Sequence, residues 1–80
     1  MSAEFDDAVA RVSQLSQDPG NEVKLKLYAL YKQATQGDVE GKRPGFTNPV
    51  GRAKYDAWTE VSGLSAEEAE AAYIEVVDGL

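Results

Sequence analysis

Residues 28–38 read Tyr28-Ala29-Leu30-Tyr31-Lys32-Gln33-Ala34-Thr35-Gln36-Gly37-Asp38. Residues three and four apart share a face of an α-helix, so Tyr28, Tyr31 and Lys32 lie on one stripe. Phenolic hydroxyls donate hydrogen bonds to phosphate oxygens, an ammonium supplies charge, and aromatic rings stack on flat groups. We interpret this stripe as one wall of a site for a phosphorylated, nucleotide-like anion. The second wall is predicted at Lys54-Tyr55-Asp56-Ala57-Trp58.

The same stripe also fits a packing role, with two tyrosines at the edge of the core and a solvated lysine. However, an all-apolar stripe already runs along this helix at Val23, Leu27, Leu30 and Ala34. Two more aromatic residues exceed what core packing requires, and geometry alone leaves both interpretations open. Single residues elsewhere favour packing. Trp58 is interpreted as a core residue, and Tyr73 as a buried tyrosine whose hydroxyl lies at the rim.

Length and composition limit the class of protein. Eighty residues make one domain, which we expect to span 1–80. The chain contains no cysteine and no histidine, which removes disulfides, thiolate chemistry and the usual metal ligand. The first residues are acidic and unlike a signal peptide, and no apolar run approaches the roughly 20 residues that span a bilayer. We therefore expect a soluble cytoplasmic protein with no stable membrane insertion.

Charge is distributed unevenly along the chain. The formal net charge of −6 argues against general nucleic-acid binding, including single-strand binding by tyrosine stacking. Residues 24–54 carry seven bases and two acids, a net +5, which leaves −11 for the rest of the chain. Mixed charge on helix surfaces is the ordinary explanation of such a pattern. A chain polarised in this way can also steer an anion to one region.

Apolar periodicity predicts four helices and no strand, so the fold class is all-α. The helices are expected at about 3–15, 22–36, 49–62 and from residue 65 onward. Their N-caps are predicted at Ser2, Asn21, Asn48 and Ser65, the last within a Ser65-Ala66-Glu67-Glu68 capping box, and Gly37 is expected to end the second helix.

The lengths of the connections suggest a topology. Short links at 16–20 and 63–64 favour antiparallel neighbours. The link from residue 37 to residue 48 can reach about 40 Å at roughly 3.3 Å per residue, whereas a fifteen-residue helix is only about 22 Å long. The chain can therefore return along the bundle before the third helix begins. This permits an up-down-down-up bundle with helices two and three parallel, while an up-down-up-down bundle remains possible.

Catalytic patterns are poor in this sequence. Glu67, Glu68 and Glu70 lie at the start of the fourth helix, where carboxylates favourably oppose the helix dipole. The sequence contains no Gly-rich phosphate loop, no metal-ligand cluster and no nucleophile paired with a base. We therefore predict a binding protein that is not an enzyme and has no cofactor. An esterase or acyltransferase is disfavoured for the same reason.

The chain resembles the acyl-CoA-binding protein family over essentially its whole length. The resemblance is carried by Tyr28-x-x-Tyr31-Lys32-Gln33-Ala34-Thr35-x-Gly37-Asp38, by Arg43-Pro44-Gly45, by Ala53-Lys54-Tyr55-Asp56-Ala57-Trp58, and, in register, by Ala3-Glu4-Phe5-Asp6, Ala8 and Ala72-Tyr73-Ile74. It implies a four-helix up-down-down-up bundle that binds long- or medium-chain fatty acyl-CoA esters. It also implies an intracellular carrier and pool former, which we expect to be a monomer.

The resemblance also implies roles for particular residues. Tyr28, Lys32 and Lys54 would hold the 3′-phosphate of the coenzyme A nucleotide. Tyr31 and Tyr73 would contact the adenine and neighbouring groups, and the fatty chain would lie in an apolar groove for which Leu25 and Ala53 are candidate lining residues. The chain departs from the family at Ser13 and Val50, where members often carry basic residues, and we expect it to be without the basic tail common in the family, since the sequence ends at Leu80. The alternative is a helical protein-interaction module without a small-molecule ligand, docking through the Tyr28–Tyr31 stripe.

Overall fold

The structure, a computed structural model, describes residues 2–80. Four α-helices follow one another along the chain: α1 (Ala3–Ser13), α2 (Asn21–Gln36), α3 (Pro49–Glu60) and α4 (Ala66–Asp78). No strand is found within the described range, which confirms the all-α fold class.

Three of the four predicted N-caps are confirmed. The side chains of Ser2, Asn48 and Ser65 each accept a hydrogen bond from a backbone N–H in the first turn of the following helix. Ser65 and Glu68 form the predicted capping box, because each side chain accepts from the backbone N–H of the other residue, at 3.0 and 2.9 Å. Gly37 ends α2 as expected, with a φ of 82° that favours glycine.

Asn21 is not the cap that the sequence predicted. It is the first residue of α2, and Gly20 takes the cap position without a side-chain hydrogen bond. The Asp18 carboxylate accepts from the Gly20 N–H at 2.8 Å, so the turn before α2 is stabilised by the side chain of Asp18 and not by that of Asn21. Two helices also end two residues early, at Ser13 rather than Leu15 and at Glu60 rather than Ser62. In both helices the backbone N–H of the next residue, Gln14 or Val61, donates to the carbonyl three residues earlier, as in a last turn of 3₁₀ geometry.

Contacts between helices fix the topology. The start of α1 lies beside the first half of α4 and its end beside the end of α4, as the bonds Ser2–Glu70 and Arg11–Asp78 show. The C-terminal end of α2 meets the loop before α4, so these two helices run antiparallel. Along α2 and α3, Tyr28 faces Lys54, and the Trp58 indole reaches Gly37 beyond the end of α2, so these helices run parallel. The up-down-down-up bundle is therefore confirmed.

The hydrophobic core lies between α1, α2 and α4. Its buried members are Phe5, Ala8, Leu27, Leu30, Ala34, Ala69, Tyr73 and Val77. The Phe5 ring is fully buried and contacts the Tyr73 ring edge-to-face, with centroids 5.1 Å apart. No residue of α3 is fully buried, and among the helices α3 packs only against α2. The position of α3 therefore depends on specific contacts rather than on a deep core.

Gln33 supplies the central polar contacts between these segments. Its side chain is only 1% exposed, and its amide nitrogen donates to Asp38 at 2.7 Å and to the Leu64 carbonyl at 2.9 Å. Its amide oxygen accepts from the Trp58 indole N–H at 3.2 Å. One buried amide thus connects the end of α2 to both neighbouring loops and to α3.

We expect Gln33→Leu to lower the free energy of unfolding by about 2–3 kcal/mol, because the Leu64 carbonyl loses its amide donor and the Trp58 indole loses a shared acceptor. Denaturant unfolding followed by circular dichroism measures this change. Gln36→Leu is the matched control, since Gln36 lies exposed in the last turn of the same helix. Equal stability of the two variants would contradict the role given to Gln33.

Hydrogen bonds also lower the pKa of several carboxyl groups below their ordinary values, 3.8 for Asp and 4.5 for Glu. For Asp38 the chief cause is the Gly63 backbone N–H, followed by the Gln33 amide. The Arg43 guanidinium lowers the pKa of Asp56, the Ser65 cap lowers that of Glu68, and the Ser2 backbone N–H lowers that of Glu70. A lowered folded-state pKa stabilises the fold above the unfolded-state pKa, and this contribution is lost as the pH falls through the folded-state pKa.

We expect the melting temperature to stay level down to about pH 5 and then to fall as the solution is acidified through the carboxyl range. Asp38→Asn should flatten this acid-side slope, because an amide oxygen can accept from the same donors without titrating. Thermal unfolding at several pH values measures both curves. The role of Asp38 would be rejected if the variant kept the full acid-side slope.

Candidate ligand-binding site

Two lysines from different helices approach one tyrosine ring. Lys32 on α2 and Lys54 on α3 place their ammonium nitrogens 5.8 and 5.2 Å from the Tyr28 ring centroid. Both distances lie within the range of cation–π attraction. Of the ion pairs among residues 2–80, none uses Lys32 or Lys54, so their charges are available to an external anion.

The Trp58 indole contributes to the placement of Lys32. The Lys32 ammonium lies 5.9 Å from the Trp58 ring centroid, and the indole N–H is fixed by the Gly37 carbonyl at 2.9 Å. Trp58 is half-buried against α2 rather than part of the central core. The two predicted walls therefore meet, with Lys54 and Trp58 of the second wall facing Tyr28 and Lys32 of the first.

Tyr31 and Tyr73 line a cavity of about 270 Å³ beside this lysine pair. Tyr31 is 39% exposed, and its ring stacks on Phe5 with centroids 6.0 Å apart. Tyr73 is 4% exposed, and burial raises the pKa of its hydroxyl. The cavity lies between α1, α2 and α4 and is lined by Val12, Lys24, Leu27, Tyr28, Tyr31, Lys32 and Tyr73.

A second, mostly apolar groove of about 420 Å³ lies between α2 and α3. Leu25 and Ala53, the candidate lining residues from the sequence, both line this groove. It begins at Tyr28 and Lys54 and extends toward the N-terminal ends of both helices, a distance of roughly 10 Å at the usual helical rise. The full lining is Asn21, Lys24, Leu25, Tyr28, Pro49, Val50, Ala53 and Lys54.

Tyr28 and Lys24 line both the cavity and the groove. Because Lys32 lines the cavity and Lys54 lines the groove, these two lysines lie where the two spaces meet. Lys24 was not among the candidate residues from the sequence. Lys24 lies four residues before Tyr28 and therefore on the same face of α2, and this spacing was the signal that could have identified it as a site residue. In the structure the Lys24 ammonium also pairs with Asp18.

The two departures from the family pattern fall in different places. Val50 lines the far part of the apolar groove and is 65% exposed. Ser13 is exposed at the end of α1, where its hydroxyl donates to the Ala10 carbonyl. Val50 therefore extends the apolar lining of the groove, whereas Ser13 adds no charge near the cavity.

The combined site offers three kinds of contact: two neighbouring ammonium groups that form no ion pair within residues 2–80, phenolic rings beside a cavity, and an apolar groove. These suit a ligand with a phosphate, a flat ring and an apolar chain. Residues 2–80 contain no group of three or more His, Cys, Asp or Glu placed to hold a metal ion. None of the helices described is long and apolar enough to cross a membrane.

A family model described as acyl CoA binding protein matches residues 2–77. The chain belongs to this family. Acyl-CoA-binding protein homolog 1 of Caenorhabditis elegans is 45% identical over 80 residues, which cover 100% of this chain and 93% of that protein. The crystal structure of Oryza sativa acyl-CoA-binding protein 2 superposes with a TM-score of 0.90 at 48% identity, covering 96% of this chain and 86% of that one.

Some proteins that the chain resembles carry the similar segment within a longer sequence. Human enoyl-CoA delta isomerase 2 is 46% identical over 77 residues, which are 96% of this chain but only 20% of that protein. The chain therefore corresponds to about a fifth of such relatives. The relatives named for acyl-CoA binding give no support to an interaction module that lacks a small-molecule ligand.

Proposed function

We propose that this protein binds fatty acyl-CoA esters and carries them as a soluble intracellular pool. The observation that carries the proposal is the unpaired Lys32–Lys54 pair around Tyr28, at the junction of a phenol-lined cavity and an apolar groove. Family membership and the names of the relatives support the same ligand class.

In the proposed complex the 3′-phosphate of coenzyme A contacts Tyr28, Lys32 and Lys54. Two ammonium groups near one ring repel each other, and an anion between them removes this cost while gaining charge-assisted hydrogen bonds. The adenine lies against Tyr31, whose ring is partly exposed and backed by Phe5. Tyr73 lines the same cavity, and in the proposed complex its hydroxyl contacts groups next to the adenine.

The fatty chain lies in the groove lined by Leu25 and Ala53. Each buried methylene contributes about 0.8 kcal/mol, so a chain that fills the groove supplies several kcal/mol before ordering costs are subtracted. The phosphate contacts define the register of the ligand, while the chain supplies most of the affinity. Longer chains should therefore bind more tightly until the groove is filled.

We assign no catalytic step to this chain. The site residues that we assign include no nucleophile paired with a base. The chain spans about a fifth of the length of the human enoyl-CoA delta isomerase 2 that it matches. A carrier of this kind keeps an amphipathic ester out of membranes and micelles. We further propose that it works in the cytoplasm as a monomer, with 1–80 acting as one domain.

Titration calorimetry should show tight binding of a long-chain acyl-CoA and much weaker binding of coenzyme A or of the free fatty acid. The physical reason is that each fragment fills only one part of the site, so it lacks either the phosphate contacts or the burial of the chain. Comparable affinity for all three compounds, or binding of none, would refute the proposed function.

Lys54→Ala and Tyr28→Phe should each raise the Kd for acyl-CoA by about ten- to a hundredfold, the equivalent of one charge-assisted hydrogen bond. Both side chains lie at the surface of the groove, so we expect little change in melting temperature. Lys26→Ala is the control, because Lys26 is an exposed lysine on the same helix that does not line the cavity or the groove. A fall in melting temperature with unchanged affinity would contradict the assignment.

A further inference from the structure

Lys24 lines the site but has no role in the complex described above. Its side chain lines the cavity that holds Tyr31 and Tyr73, and it also lines the apolar groove between α2 and α3. Among residues 2–80, Tyr28 is the only other residue that the two linings share. Lys24 therefore lies at the junction through which a ligand passes from one space to the other.

The cavity and the groove are lined by cations without acids. Together they contain Lys24, Lys32 and Lys54, and no aspartate or glutamate of residues 2–80 lines either space. Lys32 and Lys54 form no ion pair within that range, and the proposed complex assigns both to the 3′-phosphate. Lys24 is therefore a third cation beside the ligand, and no ligand group has yet been matched to its charge.

The ion pair that Lys24 forms in the structure is easily exchanged. Its ammonium pairs with the Asp18 carboxylate on the link between α1 and α2. The two side chains are 51% and 63% exposed, and ion pairs at such exposed positions contribute little stability. Asp18 also accepts from the Gly20 N–H at 2.8 Å, so its carboxylate keeps a donor when the ammonium moves away. The flexible stem of a lysine permits that movement.

The covalent order of an acyl-CoA determines which of its groups reaches Lys24. The nucleotide is joined through a diphosphate to the pantetheine arm, which carries the thioester and the fatty chain. With the nucleotide in the cavity and the chain in the groove, the connecting part passes the junction at Lys24 and Tyr28. The diphosphate is the only anionic group in that connecting part, so it is the group that suits an ammonium.

We propose that Lys24 binds the diphosphate of acyl-CoA and exchanges Asp18 for it when the ligand enters. This assignment rests on the proposed function. The ammonium gains charge-assisted hydrogen bonds to phosphate oxygens, and it loses only an exposed ion pair. Lys24 thus positions the ligand where it passes from the cavity to the groove. Asp18 competes with the ligand for the ammonium, and it thereby lowers the affinity.

The first test is titration calorimetry with dodecanoyl-CoA. Lys24→Met keeps an apolar stem of similar length and removes the charge, so it should raise the Kd roughly tenfold. Lys26→Met is the matched control, because Lys26 is an exposed lysine on the same helix that lines neither the cavity nor the groove. It should bind as the unmodified protein does. The proposal is overturned if Lys24→Met also binds unchanged.

The second test removes the competing carboxylate. Asp18→Asn keeps an oxygen that can accept from the Gly20 N–H and removes the negative charge. It should lower the Kd for dodecanoyl-CoA by roughly two- to fivefold, the range expected for an exposed ion pair. This gain should disappear when Lys24→Met is also present, because the two side chains act through one contact. A gain that persists in the double variant would be a general charge effect and would overturn the exchange.

The third test identifies the phosphate by repeating the titrations with 3′-dephospho-dodecanoyl-CoA. Lys24→Met should cost about the same factor for both ligands, since the diphosphate is present in each. A cost that disappears with the dephospho ligand would place Lys24 at the 3′-phosphate and would overturn the assignment. A lower melting temperature of Lys24→Met with unchanged Kd would also overturn it, by making the Asp18 pair an anchor of the link.

These outcomes are separate from that of the proposed function. Tight binding of dodecanoyl-CoA by both the unmodified protein and Lys24→Met would reject the role of Lys24 and leave the proposed function intact. Absence of binding by the unmodified protein would reject the proposed function, and the role of Lys24 with it.

Discussion

The buried amide of Gln33 sets the position of α3, and the site depends on that position. Helix α3 packs only against α2 and contributes no fully buried residue. Gln33 bonds to the Trp58 indole of α3 and to the loops on either side of that helix, at Asp38 and Leu64. Because these contacts lie at the C-terminal ends of α2 and α3, they fix the two helices in parallel and in one register.

That register creates the electrostatic character of the site. With the indole fixed beside the end of α2, Lys54 lies one turn earlier on α3 and reaches the Tyr28 ring, where Lys32 already lies. Most of the acidic residues lie outside residues 24–54. Within residues 2–80, no carboxylate forms an ion pair with Lys32 or Lys54. The cavity and the groove meet at this point, which allows one ligand to use charge, ring stacking and apolar burial together.

Much of this arrangement was predictable from local rules. The caps at Ser2, Asn48 and Ser65 depend on side chains close in sequence, and the long link after Gly37 permitted the parallel α2–α3 pair. Two of the missed features depend on tertiary contacts: packing against other helices decides that Gln33 is buried and that Lys24 lines both the cavity and the groove. The third, the bond from the Gly20 N–H to Asp18, is a local turn that was missed because Asn21 was taken as the cap. Gln33 lies one helical turn after Ala29 and Leu30, and this position beside apolar residues was the available signal that its side chain is buried.

The central claim is that the α2–α3 register places Lys54 against the 3′-phosphate of a bound acyl-CoA. The direct measurement is a thermodynamic cycle by calorimetry, with unmodified protein and Lys54→Ala each titrated with acyl-CoA and with its 3′-dephospho form. The account predicts that loss of the phosphate weakens binding to the unmodified protein by about tenfold or more, and that Lys54→Ala then costs little further. An equal cost of Lys54→Ala for both ligands would contradict it.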